Sequence, residues 1–236
     1  MKQHKKRVLL KITGEIFFHD KNNNAFNTSF VHEIAQQIFQ LKDSYLFGIV
    51  IGGGNLFRGG VARNDSIRPN TGHYIGMLAT MINGLVLRDI FESHQLSIML
   101  LSALTCPDIA RPTSADAIKT ALQNDQIIIF TGGTGNPFFT TDTSAVIRAL
   151  QMDADEIWKG TLVDGVYDDD PRRNSAAHLI KKISYNNIIA QHLRIMDMSS
   201  YVLAQEHKKR IRVFNIFTPQ ALLLAAKNND FGTIIE

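Results

Sequence analysis

Short apolar runs alternate along the chain with longer segments in which apolar residues recur every three or four positions. The apolar runs predict buried strands at residues 7–12, 47–51, 97–101, 127–130, 156–159 and 211–216, with a short closing strand at 232–235. The periodic segments predict helices at residues 30–41, 74–91, 115–122, 144–152, 184–189, 198–205 and 221–227. Strands that alternate with helices indicate parallel βαβ units. The predicted fold class is therefore α/β, a three-layer αβα sandwich around a mainly parallel central sheet.

The chain is long enough to bury a large core, because it has 236 residues, of which 44% are hydrophobic and 20% charged. No internal repeat, low-complexity tract or linker-like stretch rich in Pro, Gly or Ser interrupts it. We therefore expect one domain over residues 1–236, with an N-terminal lobe to about residue 150 and a C-terminal lobe from about residue 151.

The charge and the cysteine content of the chain indicate its compartment and its partners. The formal net charge is only +3, and basic residues gather in two runs, near residues 2–7 and 208–212. No aromatic residues interleave with these runs, so we interpret them as solvated ends of elements rather than a nucleic-acid surface. The single cysteine, Cys106, excludes an internal disulfide and fits a reducing compartment. No apolar run approaches the roughly 18 residues that a membrane span needs, so we expect a cytoplasmic protein with no membrane or nucleic-acid partner.

The candidate chemistry begins in a glycine-rich segment, residues 132–142, with the sequence GGTGNPFFTTD. It joins a predicted strand to a predicted helix. Such a junction directs several backbone N–H groups and the positive end of the helix dipole at one point, where an anion binds favourably. Thr140 and Thr141 add hydroxyl donors, and Asp142 stands where an N-cap or a charged organiser is expected. We interpret the segment as a phosphate-binding site.

A second glycine-rich segment, residues 52–60, has the sequence GGGNLFRGG and also follows a predicted strand. Alanine would pack better than glycine at three consecutive positions, so close approach of the backbone to a ligand is favoured over a plain flexible turn. Arg58 adds a planar guanidinium that suits phosphate oxygens. Two such junctions imply two anionic groups near one edge of the sheet.

Two lysines stand near the ends of predicted strands. Lys11 precedes the turn at Gly14, and Lys159 ends the strand at 156–159. In a parallel sheet both would converge with Arg58 on the edge that carries the glycine segments, and the alternative for Lys11 is an edge lysine in solvent. Phosphate sites that face each other across cations are what phosphoryl transfer needs, because positioning and charge neutralisation supply most of its catalysis. The residues by themselves therefore indicate a phosphate-handling α/β enzyme.

Three motif classes are excluded by spacing. Neither glycine segment matches the P-loop of nucleoside triphosphatases and kinases or the dinucleotide-binding fingerprint. The aspartates at residues 168–170 lack the spacing of an EF-hand, and no protein metal site is predicted. Tyr167, beside them, offers a ring that stacks on a base, with simple packing as the alternative.

Seven motifs follow the order and spacing of a known family over nearly the whole chain. They are KITGE (11–15), GGGNLFRG (52–59), GMLATMINGL (76–85), TGNPFFTTD (134–142), VDGVYDDDP (163–171), IMDM (195–198) and RVFN (212–215). With them the sequence resembles the bacterial uridylate kinases of the amino acid kinase superfamily. TGNPFFTTD together with GGGNLFRG is far more specific than a lone glycine motif.

The resemblance implies transfer of the ATP γ-phosphoryl group to UMP, giving UDP and ADP in pyrimidine nucleotide biosynthesis, with Mg²⁺ carried on the nucleotide. By that analogy Lys11 and Arg58 neutralise the transferring group, while Asp142 and Asp197 hold cations and backbone in register. No general base is needed, because the UMP phosphate is already an anionic nucleophile.

The resemblance also implies two sets of binding residues, one for UMP and one for ATP. The UMP set is Gly53, His73, Thr134, Gly135, Asn136, Pro137, Phe138, Phe139, Thr140 and Thr141. The ATP set, with the adenine near Tyr167, is Lys11, Thr13, Gly14, Gly54, Arg58, Lys159, Thr161, Tyr167 and Asp170. The family is typically a homohexamer, activated in many members by GTP and inhibited by UTP. Arg88 and Asp89 match positions associated with the GTP effector.

Three positions depart from the family pattern. The family commonly has Gly-Asp-x-Met-Gly before the long helix, its Asp taking the ribose hydroxyls of UMP, whereas this chain has His73 in that place. A neutral imidazole accepts only one hydrogen bond, so we predict a higher UMP Michaelis constant; the alternative is a solvent-facing histidine at a helix cap. Thr13 replaces the usual serine and keeps the hydroxyl, and Leu162 replaces a common lysine.

Two other functions compete with this one. A kinase of the same superfamily that phosphorylates a carboxylate or carbamate fits the physical argument equally well, and only the TGNPFFTTD motif opposes it. A UMP-sensing regulator without catalysis is the second alternative. Lys11, Arg58 and Asp142 favour catalysis over sensing alone.

Overall fold

The computed structural model describes residues 5–17, 27–57, 67–169, 171, 173–174, 176–193 and 195–236, and is built on a nine-stranded sheet. In chain order the strands are β1 (Lys6–Ile12), β2 (Tyr45–Ile51), β3 (Ile98–Ser102), β4 (Arg111–Pro112), β5 (Ile127–Thr131), β6 (Glu156–Thr161), β7 (Val166–Tyr167), β8 (Leu179–Ile180), β9 (Lys182–Ile183), β10 (Arg210–Asn215) and β11 (Thr233–Ile235). The order across the sheet is β4-β3-β5-β2-β1-β6-β10-β11-β9, and β7 pairs with β8 apart from it. Within the large sheet all described pairs are parallel except β10 with β11.

The helices in chain order are α1 (Ser29–Leu41), α2 (Pro69–Ser93), α3 (Ala115–Gln123), α4 (Thr141–Gln151), α5 (Tyr185–Ala190), α6 (Met198–Glu206) and α7 (Ala221–Lys227), with a 3₁₀ turn at Gly14–Phe17. All seven predicted helices and all seven predicted strands are present. The pattern missed β4, β7, β8 and β9, because a two-residue strand has no periodicity to detect. Helix α2 begins five residues earlier than predicted, with Pro69 in its first turn, where a missing N–H costs nothing.

Two hydrophobic cores lie on opposite faces of the sheet. On one face Val8, Leu10 and Ile12 of β1 pack with residues of α1, α2 and α7. On the other face Leu9 packs with residues of α3, α4, α5 and α6. Because successive side chains of a strand alternate between faces, one apolar strand supplies both cores. The predicted three-layer α/β sandwich is confirmed.

Helix α2 is long and apolar enough, by length and composition, to cross a membrane, with a mean hydropathy of 1.3 over 18 residues. The expectation that no segment approaches such a length was therefore wrong as stated. Half of that window is buried inside the protein, and α2 contacts α1, β2, β3 and β5. It is a core helix.

One of the two basic runs is not a solvated end, contrary to the sequence-based interpretation. Arg212 is 2% exposed, and its Nε lies 3.3 Å from Oε1 of the equally buried Glu156. The Lys6 ammonium lies 2.7 Å from the other oxygen of the same carboxylate. Burial raises the pKa of Glu156, but Lys6 and Arg212 offset this and hold its pKa below the usual range. Strands β1, β6 and β10 are adjacent, so residues distant in sequence form this ion cluster at their amino-terminal ends.

Candidate active site

Two lysines and one carboxylate meet near the opposite, carboxyl-terminal ends of the central strands. Lys11 of β1 and Lys159 of β6 are direct neighbours in the parallel register. Asp142, in the first turn of α4, lies between them, with its Oδ1 2.8 Å from Lys11 Nζ and 2.6 Å from Lys159 Nζ. The alternative of an edge lysine in solvent is wrong for Lys11, whose side chain is only 13% exposed.

The electrostatics of this cluster leave one positive charge in excess. Burial alone raises the pKa of Asp142, but the charges of Lys11 and Lys159 more than offset it and lower that pKa to about 2. Burial and the neighbouring Lys11 charge lower the pKa of Lys159 to about 8, against the opposing attraction of Asp142. At neutral pH the cluster therefore has two ammonium groups and one carboxylate, which suits an anionic ligand.

The glycine segment before α4 forms a turn that requires glycine. Gly132, Gly133 and Gly135 have φ values of 72°, 59° and 80°, a region that glycine enters at no steric cost. A Cβ on Gly132 would lie 2.8 Å from the Leu104 backbone nitrogen, so space also demands glycine there. Farther on, Phe138 is 70% exposed and has a φ of 71°. The Thr140 hydroxyl caps α4 by accepting from the Asp142 N–H at 3.0 Å.

Asp197, the N-cap of α6, fixes the start of α4. Its carboxylate caps α6 by accepting from the Ser200 N–H at 2.8 Å, and also accepts from the Thr143 hydroxyl at 2.8 Å and from the Thr140 hydroxyl. Among the described residues no cation pairs with it, so it orders hydroxyls and backbone while Asp142 orders the lysines. Thr143 was not predicted, since a threonine within a helix carries no sequence signal.

The first glycine segment is held by α2. A Cβ on Gly53 would lie 2.8 Å from both the Ala79 Cβ and the Gly76 carbonyl oxygen. The argument that these glycines serve no packing purpose is therefore wrong for Gly53, because close contact with a helix requires it.

A buried amide pair reinforces that contact. Asn83 is fully buried and donates to the Gly52 carbonyl at 2.7 Å and to Asn55 Oδ1 at 2.6 Å, and Asn55 donates back at 3.0 Å. The pair was not predicted from the sequence. The only available signal was an asparagine in an otherwise apolar helix, GMLATMINGL.

His73 lies in the second turn of α2 and is half-buried, with its ring centroid 4.8 Å from that of Phe138. The N-cap of α2 is Arg68, so the alternative of a solvent-facing helix cap is wrong for His73. It contacts the exposed end of the second glycine segment.

The residues assigned by resemblance to ATP lie around β1, β6 and β7. Thr13 and Gly14 follow β1, Thr161 ends β6, and Tyr167 ends β7. Tyr167 lines a cavity of about 470 Å³ together with Val163, Gly165, Asp168, Asp169, Pro171, Gln191, His192, Leu193 and Ile195. Its hydroxyl lies 3.3 Å from Asp164 Oδ2, and burial together with that carboxylate raises its pKa.

The remaining predicted residues are not drawn into the lysine cluster. Gly54 lies half-buried in the turn after β2, and Arg58 and Asp170 lie outside the described residues. Arg88 and Asp89 pair with each other at 2.9 Å near the end of α2. Within the described ranges no group of three or more His, Cys, Asp or Glu side chains is arranged to hold a metal ion.

A parallel sheet whose carboxyl edge carries paired lysines, a buried aspartate and a glycine turn at a helix N-terminus defines a phosphate-binding enzyme of the α/β class. The chain belongs to the amino acid kinase family, whose sequence model matches residues 6–215.

Relatives match over nearly the whole length. The chain is 37% identical to a uridylate kinase of Hydrogenovibrio crunogenus over 231 residues, which is 98% of both chains. The crystal structure of UMP kinase from Ureaplasma parvum superposes with a TM-score of 0.94 at 34% identity, covering 99% of this chain and all of that one. UMP kinase from Bacillus anthracis gives a TM-score of 0.93 at 34% identity, with 99% and 97% coverage.

Proposed function

We propose that the protein is a uridylate kinase, which transfers the γ-phosphoryl group of ATP to UMP and yields UDP and ADP in pyrimidine nucleotide biosynthesis. The observation that carries the proposal is the Lys11–Asp142–Lys159 cluster beside the glycine segment that starts α4. Relatives that share about the full length of the chain are named uridylate kinases, which favours UMP over carboxylate acceptors.

The cluster stabilises charge rather than moving protons. Lys11 and Lys159 neutralise the negative charge on the transferring phosphoryl group. The Asp142 carboxylate lies 2.6 to 2.8 Å from both ammonium groups and offsets the repulsion between them. The N-terminus of α4 adds partial positive charge at the same place. The UMP phosphate attacks as an anion without a general base, and we assign Arg58 to the same phosphoryl group.

Mg²⁺ fits this site as a partner of the nucleotide, where it neutralises charge on the β- and γ-phosphates. Both Asp142 oxygens already accept from Lys159, and the Asp197 oxygens accept from hydroxyls and a backbone N–H. We therefore assign the ion to the phosphate oxygens of the nucleotide.

We assign UMP to the N-terminal lobe and the adenine of ATP to the C-terminal lobe, near Tyr167. The acceptor residues are Gly53, His73 and residues 134–141; the ATP residues include Thr13, Gly14, Gly54, Thr161, Tyr167 and Asp170. The cavity beside Tyr167, about 470 Å³ in volume, is of a size that suits a nucleobase and ribose.

We further propose a cytoplasmic homohexamer regulated by GTP and UTP. An exposed apolar stripe on α2, formed by Tyr74, Leu78 and Ile82, supports subunit contact, since these side chains are 41%, 51% and 47% exposed. Arg88 and Asp89 continue along the same helix and are assigned to the GTP effector.

The test is ADP release with ATP·Mg²⁺ and, in turn, UMP, CMP, dUMP, acetylglutamate and aspartate. Turnover with UMP alone supports the proposal. Turnover with acetylglutamate or aspartate instead assigns another kinase of the family, and UMP binding without turnover assigns a sensor. A change in UMP saturation on adding GTP tests the effector assignment.

A further inference from the structure

The Gly132–Gly133 pair is held at its two ends, the Gly132 N–H and the Gly133 carbonyl, by side chains from both faces of the sheet. On one face, the Thr80 hydroxyl of α2 accepts from the Gly132 N–H at 2.9 Å and donates to the Met77 carbonyl at 2.7 Å. On the other face, Arg148 of α4 donates from Nη2 to the Gly133 carbonyl at 3.2 Å. Both glycines have positive φ, a backbone region that glycine enters without steric cost.

Arg148 is an unusual residue for a protein interior. It is 5% exposed, its Nη1 donates to Gln151 Oε1 at 2.6 Å, and its Nε has no hydrogen-bond partner. Within the described part of the chain no carboxylate pairs with it. A buried cation without a carboxylate is costly, and an apolar side chain of similar volume would serve packing better. Packing by itself therefore does not explain an arginine at this position.

The turn controls the direction of the loop that follows it. Gly135 closes the turn by donating its N–H to the Gly132 carbonyl at 3.0 Å, and residues 134–139 continue from there toward Thr140 at the start of α4. A small rotation at a glycine pair is amplified along such a loop, and displacement of a bound reactant by about 1 Å costs large factors in rate.

We propose that Arg148 and Thr80 are positioning residues for the acceptor nucleotide: they hold the Gly132 N–H and the Gly133 carbonyl and so set the orientation of the loop at 134–139. The inference rests on the proposed function, because it is that function which assigns the loop to UMP. Neither residue touches the reacting atoms; both act through the backbone.

The experiment measures the Michaelis constants for UMP and for ATP separately in two pairs of variants. Arg148→Met removes the guanidinium at similar length, and Arg148→Lys keeps a charge with poorer geometry. Thr80→Val removes the hydroxyl at constant shape, and Thr80→Ser restores it. We expect Arg148→Met and Thr80→Val to raise the UMP constant roughly tenfold, the effect of leaving one buried polar group unpaired. The ATP constant should stay within about twofold, with Thr80→Ser rescuing the UMP constant.

Arg7→Met is the matched control, because Arg7 Nη1 contacts the Met152 carbonyl at the far end of α4. It should leave both constants unchanged. Equal rises in both constants, or a lower melting temperature with both constants unchanged, would overturn the inference by showing a general structural role. If Arg148→Met does not fold, the Thr80 pair decides. If the wild-type protein does not turn over UMP, the proposed function fails and this inference fails with it. If the wild type turns over UMP but the Arg148→Met and Thr80→Val variants keep its Michaelis constant for UMP, the inference alone is rejected.

Discussion

At the scale of single residues, the charge of Lys159 is sensitive to pH near neutrality. Its side chain is 6% exposed, and its ammonium group lies 2.6 and 2.7 Å from the two oxygens of Asp142. Burial and the Lys11 charge bring its pKa down to about 8, so this lysine loses its proton at a pH where an exposed lysine keeps it.

We therefore expect kcat/KM to fall as the pH rises through about 8, since the deprotonated lysine no longer neutralises phosphoryl charge. Lys159→Arg keeps its charge throughout and should shift this alkaline decline to higher pH, even if its maximal rate is lower. The measurement is kcat/KM for the wild type and the variant between about pH 6 and 10. A decline of the same midpoint in both proteins would show that another group is responsible.

His73 is the second informative residue, because the resemblance predicts an aspartate in its place. Its ring packs against Phe138. Restoring the carboxylate with His73→Asp should lower the UMP Michaelis constant, by an amount equivalent to roughly 1 to 3 kcal/mol, because an anionic acceptor can take both ribose hydroxyls. The ATP constant serves as the internal control. An unaltered UMP constant would rule out a ribose contact at this position.

At the scale of elements, helix α2 joins the two glycine segments. Asn83 and Gly53 fasten its inner side to the first segment, and Thr80 fastens it to the second. The helix is thus a common support for both proposed phosphate sites, and a change in its position displaces both.

Replacing Asn83 by alanine tests this support. The change leaves the Gly52 carbonyl and the Asn55 amide without their partner, so we expect a loss of about 2 to 3 kcal/mol in the free energy of unfolding. Asn55→Ala is the matched control and should cost less, because it keeps the buried bond from Asn83 to the Gly52 carbonyl. Denaturant unfolding of both variants is the measurement. Equal losses would mean that the bond from Asn83 to the Gly52 carbonyl adds no stability beyond the amide pair.

At the scale of the whole molecule, charges are divided between the two ends of the central strands. The carboxyl edge carries the lysine cluster, and the amino edge carries Glu156 with Lys6 and Arg212. The first is proposed to bind substrate, and the second fastens three strands together. Both contain a carboxylate whose pKa lies below its usual range.

Acid should therefore destabilise the fold. A carboxylate with a lowered folded-state pKa contributes stability above its unfolded value and loses it as the pH falls through the folded value. For Asp142 the window runs from the ordinary pKa of 3.8 down to about 2, and for Glu156 it lies below the ordinary pKa of 4.5. Melting temperatures measured from pH 7 to 2 should fall in this window, and Glu156→Gln should be less stable at pH 7 with a shallower acid decline. An equally steep decline in the variant would exclude Glu156 as a main contributor.

The exposed stripe of α2 makes a prediction about assembly. Leu78→Glu places a charge at its centre and should dissociate the proposed hexamer, measured as a smaller mass by light scattering with size-exclusion chromatography. Leu162→Glu, at an equally exposed leucine outside α2, is the control and should keep the wild-type mass. An unchanged mass for Leu78→Glu would assign the contact to another surface.

The sequence by itself determined the α/β class, the order of the main elements, the two glycine segments and the family. These follow from local periodicity, from glycine at positions that other residues cannot occupy, and from contiguous motifs. The sequence predicted that Lys11 and Lys159 lie at one edge of the sheet, but only the tertiary structure decided that both pair with Asp142. Lys11, Asp142 and Lys159 lie on β1, α4 and β6, and their pairing depends on strand order and register. The same holds for Asp197 at the start of α4, for Gly53 against α2, and for the burial of Arg212. A contact between residues that are far apart in sequence produces no periodic pattern in either segment. The pairing of these side chains is therefore visible only in the assembled sheet.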